Sequence, residues 1–276
     1  MSIIEAFIFG LVQGITEFLP ISSTAHIVIT QLLFGYAFPG LAFEIFLHMA
    51  SVLAVILYFR KDIIAVIVGF FSFFTNKTAE NKVHFFFGVY ILVATILTGG
   101  LGIVLSDVFD ETMKTPYFIA GALAITGVAL IFIERFHRYG NREEKDMTFK
   151  DSIIVGLAQT LAVFPGISRS GATLVAGLLA GLNRETAVRY SFLLSIPVIL
   201  GSTVLAFDEI GSGMFSSIGA PALLVAFITT FIFSWLGIVW LISFLKKSKL
   251  IYFAIYCFVV AILVALFIDP NTVMDL

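Results

Sequence analysis

Residues 151–182, DSIIVGLAQTLAVFPGISRSGATLVAGLLAGL, decide the fold. The segment is apolar, yet Pro165–Gly166 interrupts it and Ser168–Arg169–Ser170 follows at once. The apolar part before the break, 152–164, makes a helix of roughly 13 residues, about 20 Å long, which falls short of the roughly 30 Å hydrocarbon core of a bilayer. The segment leaves a basic loop ending at Lys150 and reaches another starting at Arg184. Ends of the same basic character belong on the same side of a membrane. Residues 151–182 are therefore expected to enter, turn at the Pro–Gly break and return as a re-entrant helical hairpin.

The rest of the chain supplies the membrane setting. Of its 276 residues, 60% are hydrophobic and 12% charged, and the mean hydropathy is +1.08. Soluble domains have about 45–50% apolar and about 25% charged residues. Leu41–Phe59, Phe85–Leu105, Pro116–Ile133, Tyr190–Phe207, Ile218–Leu245 and Leu250–Ile268 are each long enough to span. A helix satisfies its own backbone without water, and no alternating pattern points to a β-barrel.

The net charge of −2 is less informative than its placement. Of the 16 Lys and Arg, all but Lys114 and Arg169 fall in 60–82, 135–150, 184–189 and 246–249. Asp107, Asp110, Glu111, Asp208, Glu209, Asp269 and Asp275 lie between or beyond these regions. The positive-inside rule puts the basic regions in the cytoplasm and the loops at 106–115 and 208–217 outside. Cys257, the single cysteine, cannot form an internal disulfide. Glu5 is the only charge before the first apolar run, so no cleavable signal peptide is expected.

A shift of 146 positions lays residues 8–29 on 154–175. Ile8, Gly10, Leu11, Gln13, Phe18, Ile21 and Ser22 then match Ile154, Gly156, Leu157, Gln159, Phe164, Ile167 and Ser168, and the same shift matches Phe46, Leu47 and Val52 with Phe192, Leu193 and Val198. The first copy also breaks early, at Pro20, and Ser22–Ser23–Thr24 follow. The expected fold is an all-α polytopic membrane protein with an inverted repeat. Each half is a re-entrant hairpin plus three transmembrane helices, and the halves run in opposite directions. Residues 1–276 form one integral membrane domain, with halves at about 1–134 and 151–269 and a cytoplasmic linker at 135–150. The first hairpin covers about 3–35. Residues 63–74 are left over as an interfacial or short buried helix. In such folds the site lies near the midplane, where the repeats meet.

Polar groups at membrane depth are costly and mark function. Gln13 and Glu17 are four apart, on one helix face. Ser22, Ser23 and Thr24 cap the returning half-helix, and His26 lies one turn in. In the second hairpin Ser168 caps, Arg169 projects from the first turn, and Ser170 and Thr173 add hydroxyls. Each turn offers a half-helix N-terminus, an anion site by its free N–H groups and dipole. Arg169 adds a planar fork suited to phosphate. A carboxylate such as Glu17 beside an anion calls for a divalent cation between them. These parts point to phosphoryl chemistry, with either Ser23 attacking and His26 as base, or His26 attacking or activating a metal-bound water. The plainer readings are a structural Glu17–Arg169 ion pair, a satisfied interior His26 and serines that only cap. Glu44 and His48, one turn apart, either line the site or form a local pair, and Gly99, Gly100 and Gly102 are read as permitting close helix packing.

The stretch from Gln13 to His26, QGITEFLPISSTAH, resembles the first signature of the bacterial undecaprenyl-diphosphate phosphatases, the bacitracin-resistance family. Pro165 to Thr173, PGISRSGAT, resembles the second. The resemblance covers essentially the whole chain. It implies hydrolysis of undecaprenyl diphosphate to undecaprenyl phosphate and inorganic phosphate, recycling the lipid carrier of peptidoglycan synthesis at a site facing the outer side of the cytoplasmic membrane. It implies catalytic roles for Glu17, Ser23, His26 and Arg169, with phosphate held by Ser22, Ser168, Arg169, Ser170 and Thr173. It implies a divalent ion, Mg²⁺ or Ca²⁺, at Glu17 and Gln13. Many members have Glu at the Gln13 position and Gln at the His48 position, so this chain departs from the pattern at both. The expected partners are the polyprenyl diphosphate, membrane lipids and, as an open alternative, a second copy of the chain; no nucleic acid is expected. The main alternative function is a transporter or flippase of a phosphorylated lipid or anion. The other class of membrane lipid phosphatase pairs an Arg motif with two histidines, and no histidine lies shortly after Ser168–Arg169.

Overall fold

Capping residues and the two breaks cut the hairpins close to the expected limits. In the computed structural model, which describes residues 1–36, 42–106, 113, 115–137, 139–205, 218–247 and 249–268, α1 spans Ile3–Thr16 and α2 spans Ser23–Phe34. A capping box of Ser2 with Glu5 starts α1. Gly35, in the left-handed conformation, ends α2. The second hairpin is α7 (Phe149–Thr160), a 3-10 turn at Leu161–Val163, and α8 (Arg169–Leu179). A capping box of Thr148 with Asp151 starts α7, two residues ahead of the expected entry. Gly166 turns between the two helices with φ +96°. A Cβ there would stand 2.6 Å from the Ala122 Cβ, so glycine meets both the conformation and the space.

The remaining elements are α3 (Ala42–Tyr58), α4 (Arg60–Ser72), α5 (Ala79–Ser106), α6 (Pro116–Phe136), α9 (Arg184–Leu205), α10 (Ala220–Lys247) and α11 (Ile251–Phe267). α5, α6, α9 and α10 are long and apolar enough to cross a membrane. α3 and α11 have 17 residues each, at the lower end of the range of about 17–25 that spans. α4 is the leftover stretch: it bends 75° from α3 and buries only Val66 and Gly69. Large apolar side chains such as Ile96, Ile125, Val204 and Leu266 point outward, a surface that lipid covers and water does not favour. The chain is a multi-pass membrane protein. Among the described residues there is no strand, only an isolated bridge between Arg142 and Leu182.

Packing crosses between the halves. α1 lies on α10, and its counterpart α7 lies on α5; α3 meets α9, and α6 meets α11. Each pairing has its counterpart when the halves are exchanged. The repeat-matched glycines show why. A Cβ on Gly10 would stand 2.5 Å from the Ala226 carbonyl of α10, and one on Gly156 would stand 3.0 Å from the Ala94 Cα of α5. Small residues of this kind let helix backbones approach in a membrane. Gly99 and Gly100 do not act this way: no described atom lies within 4 Å of a Cβ built there, and Gly102 meets only Val163 at 3.7 Å.

The basic end of the fold is stitched by acids the charge count passes over. Arg142 pairs bidentately with Asp151 at 2.9 and 2.6 Å. Arg189 bridges Asp62, at 2.8 Å, and Glu144, joining α4, the linker and α9. The loops expected outside, 106–115 and 208–217, and the acidic residues beyond 268 fall almost wholly outside the described residues.

Candidate active site

The two hairpin breaks meet at Glu17. It is the C-cap residue of α1 and 5% exposed. Its Oε1 accepts from Arg169 Nη2 at 2.5 Å. Its Oε2 accepts from Ser23 Oγ at 2.6 Å, Gln13 Nε2 at 2.8 Å and His48 Nε2 at 2.9 Å. A buried carboxylate is tolerated because four donors, among them the Arg169 cation, replace its water.

Local chain geometry delivers Ser23. Ser22 is the one described non-glycine residue with positive φ, at 66° with ψ 97°. That conformation is strained for an L-residue, and strain of this kind clusters at functional turns. It reverses the chain so that Ser23 starts α2 with its hydroxyl aimed back at the end of α1. The Ser22 side chain caps α2 through the Ala25 N–H at 3.4 Å. His26 Nδ1 donates to the Ser22 carbonyl at 2.7 Å, which supports the strained turn. Its other nitrogen, Nε2, then accepts from the Tyr256 hydroxyl of α11 at 2.8 Å. The two rings are nearly parallel, with centroids 5.6 Å apart. His26 therefore faces away from Ser23, and the group in contact with the Ser23 hydroxyl is Glu17.

In the second hairpin, Ser168 caps α8 by accepting from the Gly171 N–H at 3.1 Å. Ser170 gives its hydroxyl to the Leu19 carbonyl at 2.8 Å and so ties the two turns together. Thr173 Oγ1 donates to the Arg169 carbonyl at 3.0 Å and lies 2.5 Å from Ser191 Oγ. A cavity of about 270 Å³ opens onto Glu17, Ser22, Ser23, Thr24, His48, Ser168 and Arg169. Ser170, Thr173 and His26 are not among its walls. Glu44 and His48, expected either to line the site or to form a local pair, do both: each lines the cavity, and His48 Nδ1 meets the Glu44 carbonyl at 2.5 Å. Gln159, the repeat mate of Gln13, also lines it, donates to Thr98 at 2.9 Å and keeps its Oε1 without a partner among the described residues. A larger cleft of about 450 Å³ lies at Asp62, Arg184 and Arg189, where the arginines already face Asp62, Glu144 and Glu134. The smaller cavity is the one that gathers the residues singled out in the two signatures.

The expected metal ligands do not fit a resident ion as arranged. Both oxygens of Glu17 are taken by donors, and Gln13 turns its amide N–H₂ to Glu17, leaving its own Oε1 buried and without a partner among the described residues. Among the described residues no three His, Cys, Asp or Glu stand together as a metal-binding group. Mg²⁺ commonly binds through substrate oxygens and few carboxylates, so an ion would arrive with the substrate. Purified, desalted protein is expected to hold no stoichiometric Mg²⁺ or Ca²⁺ in elemental analysis; a stoichiometric ion would contradict that reading.

The fold and this site define a multi-pass membrane protein with a buried carboxylate, hydroxyl and guanidinium gathered between two broken hairpins. The family described as Bacitracin resistance protein BacA matches residues 6–263. Undecaprenyl-diphosphatase 2 of Halalkalibacterium halodurans is 67% identical over 277 residues, covering 100% of both chains. Undecaprenyl-diphosphatase 1 of Shouchella clausii is 61% identical over 98% of each chain, and the undecaprenyl-diphosphatase of Oceanobacillus iheyensis 44% identical over 97% of each. The chain belongs to the bacitracin resistance protein BacA family.

Proposed function

We propose that this protein hydrolyses undecaprenyl diphosphate to undecaprenyl phosphate and inorganic phosphate, recycling the lipid carrier of peptidoglycan synthesis and conferring bacitracin resistance. The observation that carries the reading is the Ser23 hydroxyl bonded to a carboxylate that also holds Arg169, beside the 61–67% identity to proteins named undecaprenyl-diphosphatase. Ser23 Oγ attacks the terminal phosphorus and its proton passes to Glu17 Oε2. The bond from that phosphorus to the bridging oxygen breaks, and undecaprenyl phosphate leaves. Water then attacks the phosphoserine, the bond from phosphorus to Ser23 Oγ breaks, Glu17 returns its proton to Ser23 Oγ, and the phosphate leaves with the hydrogens of the water. Arg169 has N–H groups left beyond its bond to Glu17, and these hold the phosphate oxygens with the N-termini of α2 and α8. His26 steadies the Ser22 turn and takes no proton in this scheme. Phosphate release from undecaprenyl diphosphate by detergent-purified protein tests the proposal. Lipid binding without phosphate release would instead favour the transport reading.

The proposed orientation places residues 135–150 in the cytoplasm and opens the cavity toward the outer side. Arg142 is a poor labelling position because it holds Asp151 and the Ala180 and Asp146 carbonyls. The Lys145 side chain is 64% exposed. Lys145→Cys on a Cys257→Ala background is expected to resist an impermeant thiol reagent in intact cells and to react in inverted vesicles. Labelling in intact cells would reverse the orientation.

A further inference from the structure

Glu17 is subject to two competing pulls. A guanidinium and a carboxylate pair best through two parallel hydrogen bonds. That pairing would turn both oxygens of Glu17 toward Arg169 and away from Ser23. The structure holds a different arrangement. Arg169 reaches Oε1 alone, and Oε2 is kept by Ser23, Gln13 and His48. Ser23 is the group that reacts, so it cannot also be the fixed support. Gln13 lies one turn back on α1 and moves with Glu17. His48 comes from α3, a separate element, and its ring is pinned on the far side by the Glu44 carbonyl at 2.5 Å. Nε2 then meets Glu17 Oε2 at 2.9 Å, in a side chain only 19% exposed. The ring is a strut between α3 and one carboxylate oxygen.

We propose that His48 is a positioning residue for hydrolysis at Ser23. It holds Glu17 Oε2 against the Ser23 hydroxyl, prevents the carboxylate from closing onto Arg169, and so leaves the remaining guanidinium N–H groups to the phosphate. The inference rests on the proton-accepting role proposed for Glu17. His48 acts through Glu17 and not on the substrate, so its loss is felt in the chemical step more than in binding.

The test is steady-state hydrolysis of undecaprenyl diphosphate by purified wild type, His48→Ala, His48→Gln and His48→Asn. Misplacing a catalytic group by about an ångström costs up to roughly 100-fold in rate. We expect kcat of His48→Ala to fall by at least about tenfold while KM stays close to wild type. Gln can present an amide N–H near the position of Nε2 and should recover most of kcat. Asn has the same amide on a shorter stem and should stay as slow as Ala. Wild-type kcat in His48→Ala would overturn the proposal, as would a change in KM alone. Equal losses in Gln and Asn would overturn it too, since reach would then not matter. Where His48→Ala fails to fold, the Gln–Asn comparison decides alone. A wild-type protein that releases no phosphate would overturn the hydrolysis itself, and this role with it.

Discussion

Glu17→Gln is expected to lower phosphate release by roughly 10²–10⁴-fold, the range a general base contributes. The substitution keeps the shape and removes the charge. It also places an amide where four donors converge: Gln13, Ser23, His48 and Arg169. One amide oxygen cannot accept from all of them, and the NH₂ would face other donors. Ser23 then loses its proton acceptor, and Arg169 loses its carboxylate. Removing one partner of a buried ion pair costs about 3–5 kcal/mol, so thermal unfolding must accompany the rate measurement. A folded Glu17→Gln protein within about tenfold of wild-type turnover would reduce Glu17 to a structural counter-ion of Arg169.

Arg169→Lys separates the clamp from the ion pair. The planar guanidinium serves Glu17 through Nη2 and has further N–H groups for phosphate. An ammonium is a point charge and cannot hold two oxyanions in the same fixed geometry. We expect kcat/KM to fall at least about tenfold, roughly 1.4 kcal/mol of transition-state stabilisation, although the charge is kept. Arg169→Ala should lose more, since charge and geometry go together. Near-normal kcat/KM in Arg169→Lys would mean that the phosphate is held elsewhere.

Much of the fold was legible because it is dictated by length and by breaks. Two apolar runs too short to span and ending at proline had to be hairpins, and α1–α2 and α7–α8 are hairpins. Repeat-matched Gly10 and Gly156 are both close-packing positions, whereas a Cβ on Gly99 or Gly100 would meet no described atom within 4 Å. Glycine relieves crowding only where another helix arrives, and local sequence does not say where that happens.

The site was legible in its membership more than in its wiring. Glu17, Ser23 and Arg169 converge as the two signatures suggested. The spacing of three positions from Ser23 to His26 suggested a shared face and a serine–histidine contact. The ring instead turns to the Ser22 carbonyl one turn back and to Tyr256, which is 230 positions away in sequence. Ser170 and Thr173 spend their hydroxyls on backbone carbonyls. His48 carried a signal, a histidine at membrane depth, but its partner Glu17 lies on another helix. Contacts set by the left-handed turn at Ser22 and by the α3–α1 approach exist only in three dimensions.

The most direct measurement is single-turnover phosphate release from undecaprenyl diphosphate by purified wild type and Ser23→Ala, with thermal unfolding confirming that both are folded. Serine attack requires that Ser23→Ala retain less than about 1% of the wild-type rate, because among the described residues no other hydroxyl is bonded to Glu17 Oε2. His26→Ala serves as the companion variant, and is expected to be slowed through loss of the Ser22 turn while still forming a phosphoserine. A Ser23→Ala protein that keeps more than a few per cent of the wild-type rate, beside a His26→Ala protein that keeps none, would contradict serine attack and give the reaction to the histidine.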